Sequence, residues 1–150
     1  MNMQIKVKVF DDLTTKELYD ILQLRSEVFV VEQDCVYQDL DGKDVNATHI
    51  IGLMNNNVVA YTRVFNPGDY FKTAAIGRVV VKASERHRNF GKTIMQASIN
   101  YLEDKFDKPT ITLSAQTYLV RFYTELGFEP IGEKYLEDGI PHIRMKRSKS

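Results

Sequence analysis

Between an apolar run, Val79-Val80-Val81, and a stretch of helical periodicity lies the segment Lys82-Ala83-Ser84-Glu85-Arg86-His87-Arg88-Asn89-Phe90-Gly91-Lys92. A strand-to-helix turn of this kind presents unpaired backbone N–H groups and the positive end of a helix dipole. Arg86, Arg88 and Lys92 can add charge-assisted hydrogen bonds, so the predicted chemistry is capture of a phosphate-bearing anion. Gly91-Lys92-Thr93 also looks like the end of a P-loop. That loop needs a glycine five residues before Gly91, and Arg86 stands there, so a nucleotide-hydrolysing site is excluded. The choice left is between an anion site and a solvated basic turn.

Other residue types capable of chemistry are spread along the chain. Tyr123 shares a short helical stretch with Phe122 and Leu126 and is either a core aromatic or a phenol placed for proton donation. Glu32, His49 and His142 are titratable side chains that could accept a proton in general acid–base chemistry. For each, a structural role competes: a solvated carboxylate, or a histidine satisfied within a strand. Arg25, on a helix face, and Arg63, mid-strand, either bind a substrate carboxylate or pair with acidic neighbours. The stretch containing Glu32, Asp34, Asp39, Asp41 and Asp44 holds a single lysine, Lys43. It fails as an EF-hand, because Lys43 and Asp44 occupy the fifth and sixth positions counted from Asp39, where an oxygen ligand and a glycine belong. No metal is expected, and the stretch reads as an acidic lip that attracts a cation.

These residues need a scaffold, and the hydrophobic pattern supplies one. Ile5, Val7 and Val9 alternate with lysines as in a strand, and Thr14 or Thr15 can cap a helix running to about Phe29. Apolar runs over 48–54 and 58–65 flank Asn55-Asn56-Asn57, a hairpin pattern because asparagine tolerates positive φ. A buried strand over 75–82 precedes a helix over 87–106, whose apolar stripe includes Met95, Ile99 and Leu102. Pro109 stops that helix, 110–115 is a further strand, and 117–126 is a short helix ended by Gly127 in the left-handed conformation. Two antiparallel strands over 128–133 and 140–145 complete an α+β, mixed α/β domain spanning residues 1–150.

With 150 residues the chain is the size of one domain, and 43% hydrophobic with 27% charged residues is the composition of a globular fold. Twenty basic and 20 acidic side chains cancel, which removes the bulk argument for nucleic acid or an anionic membrane surface as partner. The cancellation is between halves, acidic first and basic second. The one cysteine, Cys35, cannot form an internal disulfide, and a reducing cytoplasm is the expected location.

Two motifs at a defined separation carry a resemblance. Val81, Arg86, Asn89 and Gly91 follow the spacing Val-x4-Arg-x2-Gly-x-Gly, with Asn89 in place of the first glycine. Ala115-Gln116 followed by Arg121-Phe122-Tyr123-Thr124-Glu125-Leu126-Gly127-Phe128 provides the second. Together with the order of strands and helices, they resemble the GNAT superfamily of acyl-CoA-dependent N-acyltransferases. The segments around Arg25–Gln33, Tyr37, Asp41, His49 and Glu137–His142 are similar to its ElaA-like branch.

The resemblance implies a twisted mixed sheet of six to seven strands flanked by helices, with two central strands splayed to admit acyl-CoA. It implies that Val79, Val80 and Val81 meet the pantetheine arm. Arg86, His87, Arg88, Asn89, Phe90, Gly91 and Lys92 would hold the pyrophosphate, with Gln116 and Phe122 as further cofactor contacts. Tyr123 would stand beside the sulfur, Glu32 would act as base, and Arg25, Gln33, His49, Arg63 and His142 would line the acceptor site. The implied reaction is transfer of an acyl group, most simply acetyl, from acetyl-CoA to a small amine or amino-acid-like acceptor by a monomer or homodimer. A non-catalytic CoA-binding sensor is the alternative, hinted at by Asn89.

Overall fold

The computed structural model describes residues 2–148. Seven strands form one sheet: β1 (Gln4–Val9), β2 (Thr48–Met54), β3 (Asn57–Phe65), β4 (Ala74–Val81), β5 (Ile111–Gln116), β6 (Glu129–Glu137) and β7 (Ile140–Arg147). Their spatial order is β1-β2-β3-β4-β5-β7-β6, antiparallel throughout except for the β4–β5 pair. The hairpins follow from their turn residues. Asn55 and Asn56 adopt φ of 52° and 66°, and Asp138 and Gly139 adopt 53° and 76°, the left-handed pairs that two-residue hairpins need.

Alternation along the central strands sends side chains to both faces, so helices cover both. Helix α1 (Thr15–Arg25) begins in a capping box: the Glu17 N–H donates to Thr14 Oγ1 at 3.0 Å and the Thr14 N–H donates to Glu17 Oε1 at 2.9 Å. Its Ile21 and Leu24 pack with Ile51, Leu53, Tyr61 and Val80 on one face. Helix α2 (Phe90–Lys105) puts Ile94, Met95, Ile99 and Leu102 against Ile50, Val64, Ile76 and Leu113 on the other, together with α3 (Val120–Thr124). Ile50 and Ile51, consecutive and fully buried, serve opposite cores.

Two helices differ from expectation. The first does not run uniformly to Phe29; beyond Arg25 it widens into a π-helical stretch, Ser26–Glu32. Such widening is common beside functional sites. Here Val28 stays in the core while Phe29 and Gln33 turn toward the gap between β4 and β5. The second long helix starts at Phe90 instead of His87, because Ala83–Arg88 forms a 3₁₀ turn and Asn89 takes φ 65°, ψ 23°. That left-handed residue breaks the helical path and re-aims the N–H groups of the turn.

Candidate functional site

β4 and β5 pair only at Ala74↔Ile111 and Ala75↔Thr112, and then diverge. On its other side β4 carries a bulge: Tyr61 pairs with Val80 and Arg63 with Gly77, so two residues of β4 face one of β3. Arg78, within the bulge, has φ 51°. The divergence opens a cleft through the sheet with two chambers. Phe29, Gln33, Val79, Gln116, Leu119 and Tyr123 belong to both.

The larger chamber, about 480 Å³, continues past Val79–Val81 and Phe122 to Arg86, Asn89, Gly91 and Lys92. An apolar slot leading to a basic turn fits a ligand with an extended arm and a phosphate-bearing end. Gly91 is needed for packing more than for backbone freedom: a Cβ there would lie 3.3 Å from the Phe122 ring. Arg86, Arg88 and Lys92 are each met by a carboxylate. Arg86 donates bidentately to Glu32, one bond being 2.8 Å, and its Nε donates to Val81 O at 3.1 Å. Arg88 pairs with Glu85 at 2.9 Å and Lys92 with Glu125 at 3.4 Å. His87 and Arg88 are exposed outside the chamber, and Phe90 is buried in the core, so these three stand apart from the slot.

Tyr123 sits where the two chambers join, and the end of α3 fixes it there. The Phe128 N–H donates to Tyr123 O at 3.1 Å and the Gly127 N–H to Thr124 O at 3.0 Å, with Gly127 at φ 95°. This is the Schellman arrangement, and its usual apolar contact is the edge-on packing of Phe128 on Tyr123, 6.1 Å between centroids. Burial pushes the Tyr123 phenol well above its ordinary value, with the charge of Tyr118 adding to the shift. At neutral pH it is therefore a hydrogen-bond donor. Glu32 lines the larger chamber and not the smaller one, and the hydrogen bonds from Arg86 hold its carboxyl below the usual range. That position and that charge state make it a poor base and a good counterion for Arg86, contrary to the sequence expectation.

The smaller chamber, about 110 Å³, shares Tyr123 and Gln33 with the larger one and adds His142, Ser114 and Glu137. Gln33 and His142, two of the residues expected at an acceptor site, both line this chamber. Ser114 Oγ contacts Tyr135 Oη and lies 3.2 Å from Glu137 Oε1. Sequence reasoning gave no role to Ser114 or Tyr135, and named Glu137 only as the start of the Glu137–His142 segment. The two-residue spacing of Tyr135 and Glu137, and the register that sets Tyr135 opposite His142, were the signals that could have found them.

Three expected acceptor contacts are elsewhere. Arg25 is 0% and Arg63 1% exposed, and their guanidinium groups are taken by aspartates from the acidic stretch. Arg25 binds Asp39 at 2.8 Å and Asp44 at 2.7 Å; Arg63 binds Asp41 at 2.5 Å and Asp44 at 3.0 Å. Arg78 completes the cluster with Asp39 at 2.8 Å. Arg25, with Nε and Nη1 on carboxylates, and Arg63, with both Nη groups taken, are buried away from substrate, and an acidic lip neutralised by three arginines does not attract amines. His49 is 0% exposed, donating from Nε2 to Asp44 O at 3.0 Å and accepting from Tyr61 Oη at Nδ1 at 2.6 Å. Both ring nitrogens are satisfied, and burial pushes its pKa down. It is a neutral structural histidine.

Comparison with known proteins gives a consistent result. Residues 10–149 match the acetyltransferase (GNAT) domain family. The chain is 41% identical over 138 residues to protein ElaA of Escherichia coli, covering 91% of this chain and 90% of that one. Its fold is similar to the crystal structure of an acyl-CoA N-acyltransferase from Pseudomonas aeruginosa, with a TM-score of 0.91 and 39% identity, covering 97% of this chain and 99% of that one. The crystal structure of E. coli ElaA gives a TM-score of 0.90 at 38% identity with the same coverage.

Proposed function

Because this chain belongs to the GNAT acetyltransferase family, we propose that it transfers an acetyl group from acetyl-CoA to the amine of a small-molecule or amino-acid-like acceptor, by direct attack in a ternary complex. The observation that carries this reading is the placement of Tyr123 in the wall shared by two adjoining chambers at the β4–β5 divergence. The larger one suits the cofactor: Val79–Val81 border the pantetheine arm, and Arg86, Asn89, Gly91 and Lys92 receive the pyrophosphate. The smaller one suits the acceptor.

Holding the two reactants in one cleft can recover roughly 7–11 kcal/mol of the barrier. The attack builds negative charge on the acyl oxygen, and the backbone N–H groups of Val79, in the β4 bulge, and of Val80 beside it are the candidates to stabilise it. The departing thiolate then needs a donor. A tyrosine titrating near ~10 gives up a full proton to a thiolate of pKa ~8.5 only at a cost of about 2 kcal/mol, and burial of Tyr123 raises that cost. Tyr123 therefore works by hydrogen bonding to the developing sulfur charge.

The test is thiol release from acetyl-CoA with a panel of polyamines, amino acids and peptides, run after calorimetry has measured CoA binding. Turnover with any of them supports the reading. CoA binding without turnover on the whole panel would favour the sensor alternative, and failure to bind CoA would sink both.

A further inference from the structure

We propose that Glu137 and His142 form the site for the acceptor's ammonium group, selecting a small primary amine that is cationic in solution, and that His142 Nε2 takes the proton that must leave before attack. The proposal rests on the acyl-transfer reading above and deepens it.

His142 is 6% exposed, and its Nδ1 lies 2.7 Å from Ile140 O. A carbonyl oxygen only accepts, so Nδ1 carries the hydrogen and donates. In the neutral ring Nε2 then presents a lone pair. Nε2 faces Glu137 Oε2 at 3.5 Å, with no hydrogen between the two acceptors unless a third group supplies one. The hydroxyls of Ser114 and Tyr135 are engaged elsewhere. Ser114 donates toward Glu137 Oε1 at 3.2 Å, and Tyr135 donates to Ser114 Oγ. A primary ammonium can bridge Nε2 and Oε2 at once.

The surrounding charges favour a cation. Asp39, also at this chamber, is claimed by Arg25 and Arg78. Glu137 is the chamber carboxylate that, among the described residues, faces a histidine instead of an arginine, and Asp138 adds negative charge at the rim. The neutral groups of Gln33, Gln116 and Tyr135 complete the surroundings.

The step balances. The ammonium gives one proton to His142 Nε2, and the resulting imidazolium is held by Glu137. The freed amine forms the C–N bond to the acyl carbon, the C–S bond breaks, and the second amine proton passes to the thiolate. The imidazolium then releases its proton to solvent.

The experiment is a long-range ¹H–¹⁵N spectrum of the labelled protein at pH 8, with and without saturating CoA, titrated with n-butylammonium chloride and separately with neutral 1-pentanol. The chain has three histidines, and His142→Gln assigns the third. Expected are an unprotonated Nε2 for His142 in the free protein, a saturable shift with n-butylammonium and none with 1-pentanol at equal concentration. Glu137→Gln should weaken the n-butylammonium response at least tenfold. An imidazolium at pH 8, an equal response to the alcohol, or no response to the amine overturns the proposal. CoA calorimetry run alongside keeps the two readings apart: loss of CoA binding speaks against acyl transfer, whereas the ammonium titration is read in the CoA-free sample on its own.

Discussion

Burial keeps the Tyr123 phenol protonated, and the Schellman cap of α3 keeps it at the cleft junction, so its contribution should appear in the chemical step. Tyr123→Phe preserves the packing on Phe128 and removes only the hydroxyl. We expect kcat to fall well over tenfold with little change in KM for acetyl-CoA, measured by thiol release. Glu32 should behave in the opposite sense. It occupies the donors of Arg86 that a pyrophosphate would use, and a partly exposed ion pair of this kind is worth about 0.2–1 kcal/mol. Glu32→Gln should therefore tighten CoA binding by roughly two- to fivefold in calorimetry and leave kcat within a factor of about three. A collapse of kcat with unchanged CoA affinity would return Glu32 to the role of base.

At the scale of elements, the phosphate turn depends on one residue held at positive φ. Asparagine takes this conformation more readily than other side chains, which is how the turn keeps its shape without the family's usual glycine. Asn89→Gly should be close to neutral in urea unfolding, whereas Asn89→Val should cost about 1–2 kcal/mol and weaken CoA binding. The strands and the α2 stripe were legible because each is a local period in hydrophobicity. So was the Asn89–Gly91 turn, since both motifs lie within short windows. The arginine–aspartate cluster was not. Arg25, Arg63 and Arg78 come from α1, β3 and β4, and their aspartates from an aperiodic segment up to 39 residues away. Nothing in the local pattern distinguishes an arginine aimed at a ligand from one aimed at a distant aspartate. The π-helical widening after Arg25 was equally hidden, because the side-chain spacing of 3.6 and of slightly more than 4 residues cannot be told apart over seven positions.

Across the whole molecule, the neutral charge sum becomes internal pairing: acid from the first half of the chain is met by Arg78 and Arg86 from the second. The pH dependence of stability follows. Burial raises both carboxyls, but ion pairing outweighs it: Arg25 and Arg63 hold Asp44 below the ordinary carboxylate range, and Arg63 holds Asp41 well below it. Their contribution is complete above that range and is lost only as pH falls through the lowered folded values, in strong acid. His49 is likewise depressed, so its contribution is full above the unfolded value of about 6.5 and declines as pH falls below it. Urea unfolding should weaken first between about pH 6.5 and 5, and His49→Gln should flatten that slope whatever its effect on absolute stability. An unchanged slope would remove His49 as its source.

The short β4–β5 pairing has a mechanical meaning as well. Two register positions are all that stitch a four-stranded half sheet to a three-stranded one, with α2 lying across both like a splint. The amides of β5, β6 and β7 should therefore exchange with solvent as a unit distinct from β1 to β4, a pattern that mass spectrometry of deuterium uptake would reveal. A cofactor seated along the open seam would act as the missing stitches, slowing exchange on both sides together. Uniform exchange across the seam in the free protein would show that the splint alone makes the two halves one body.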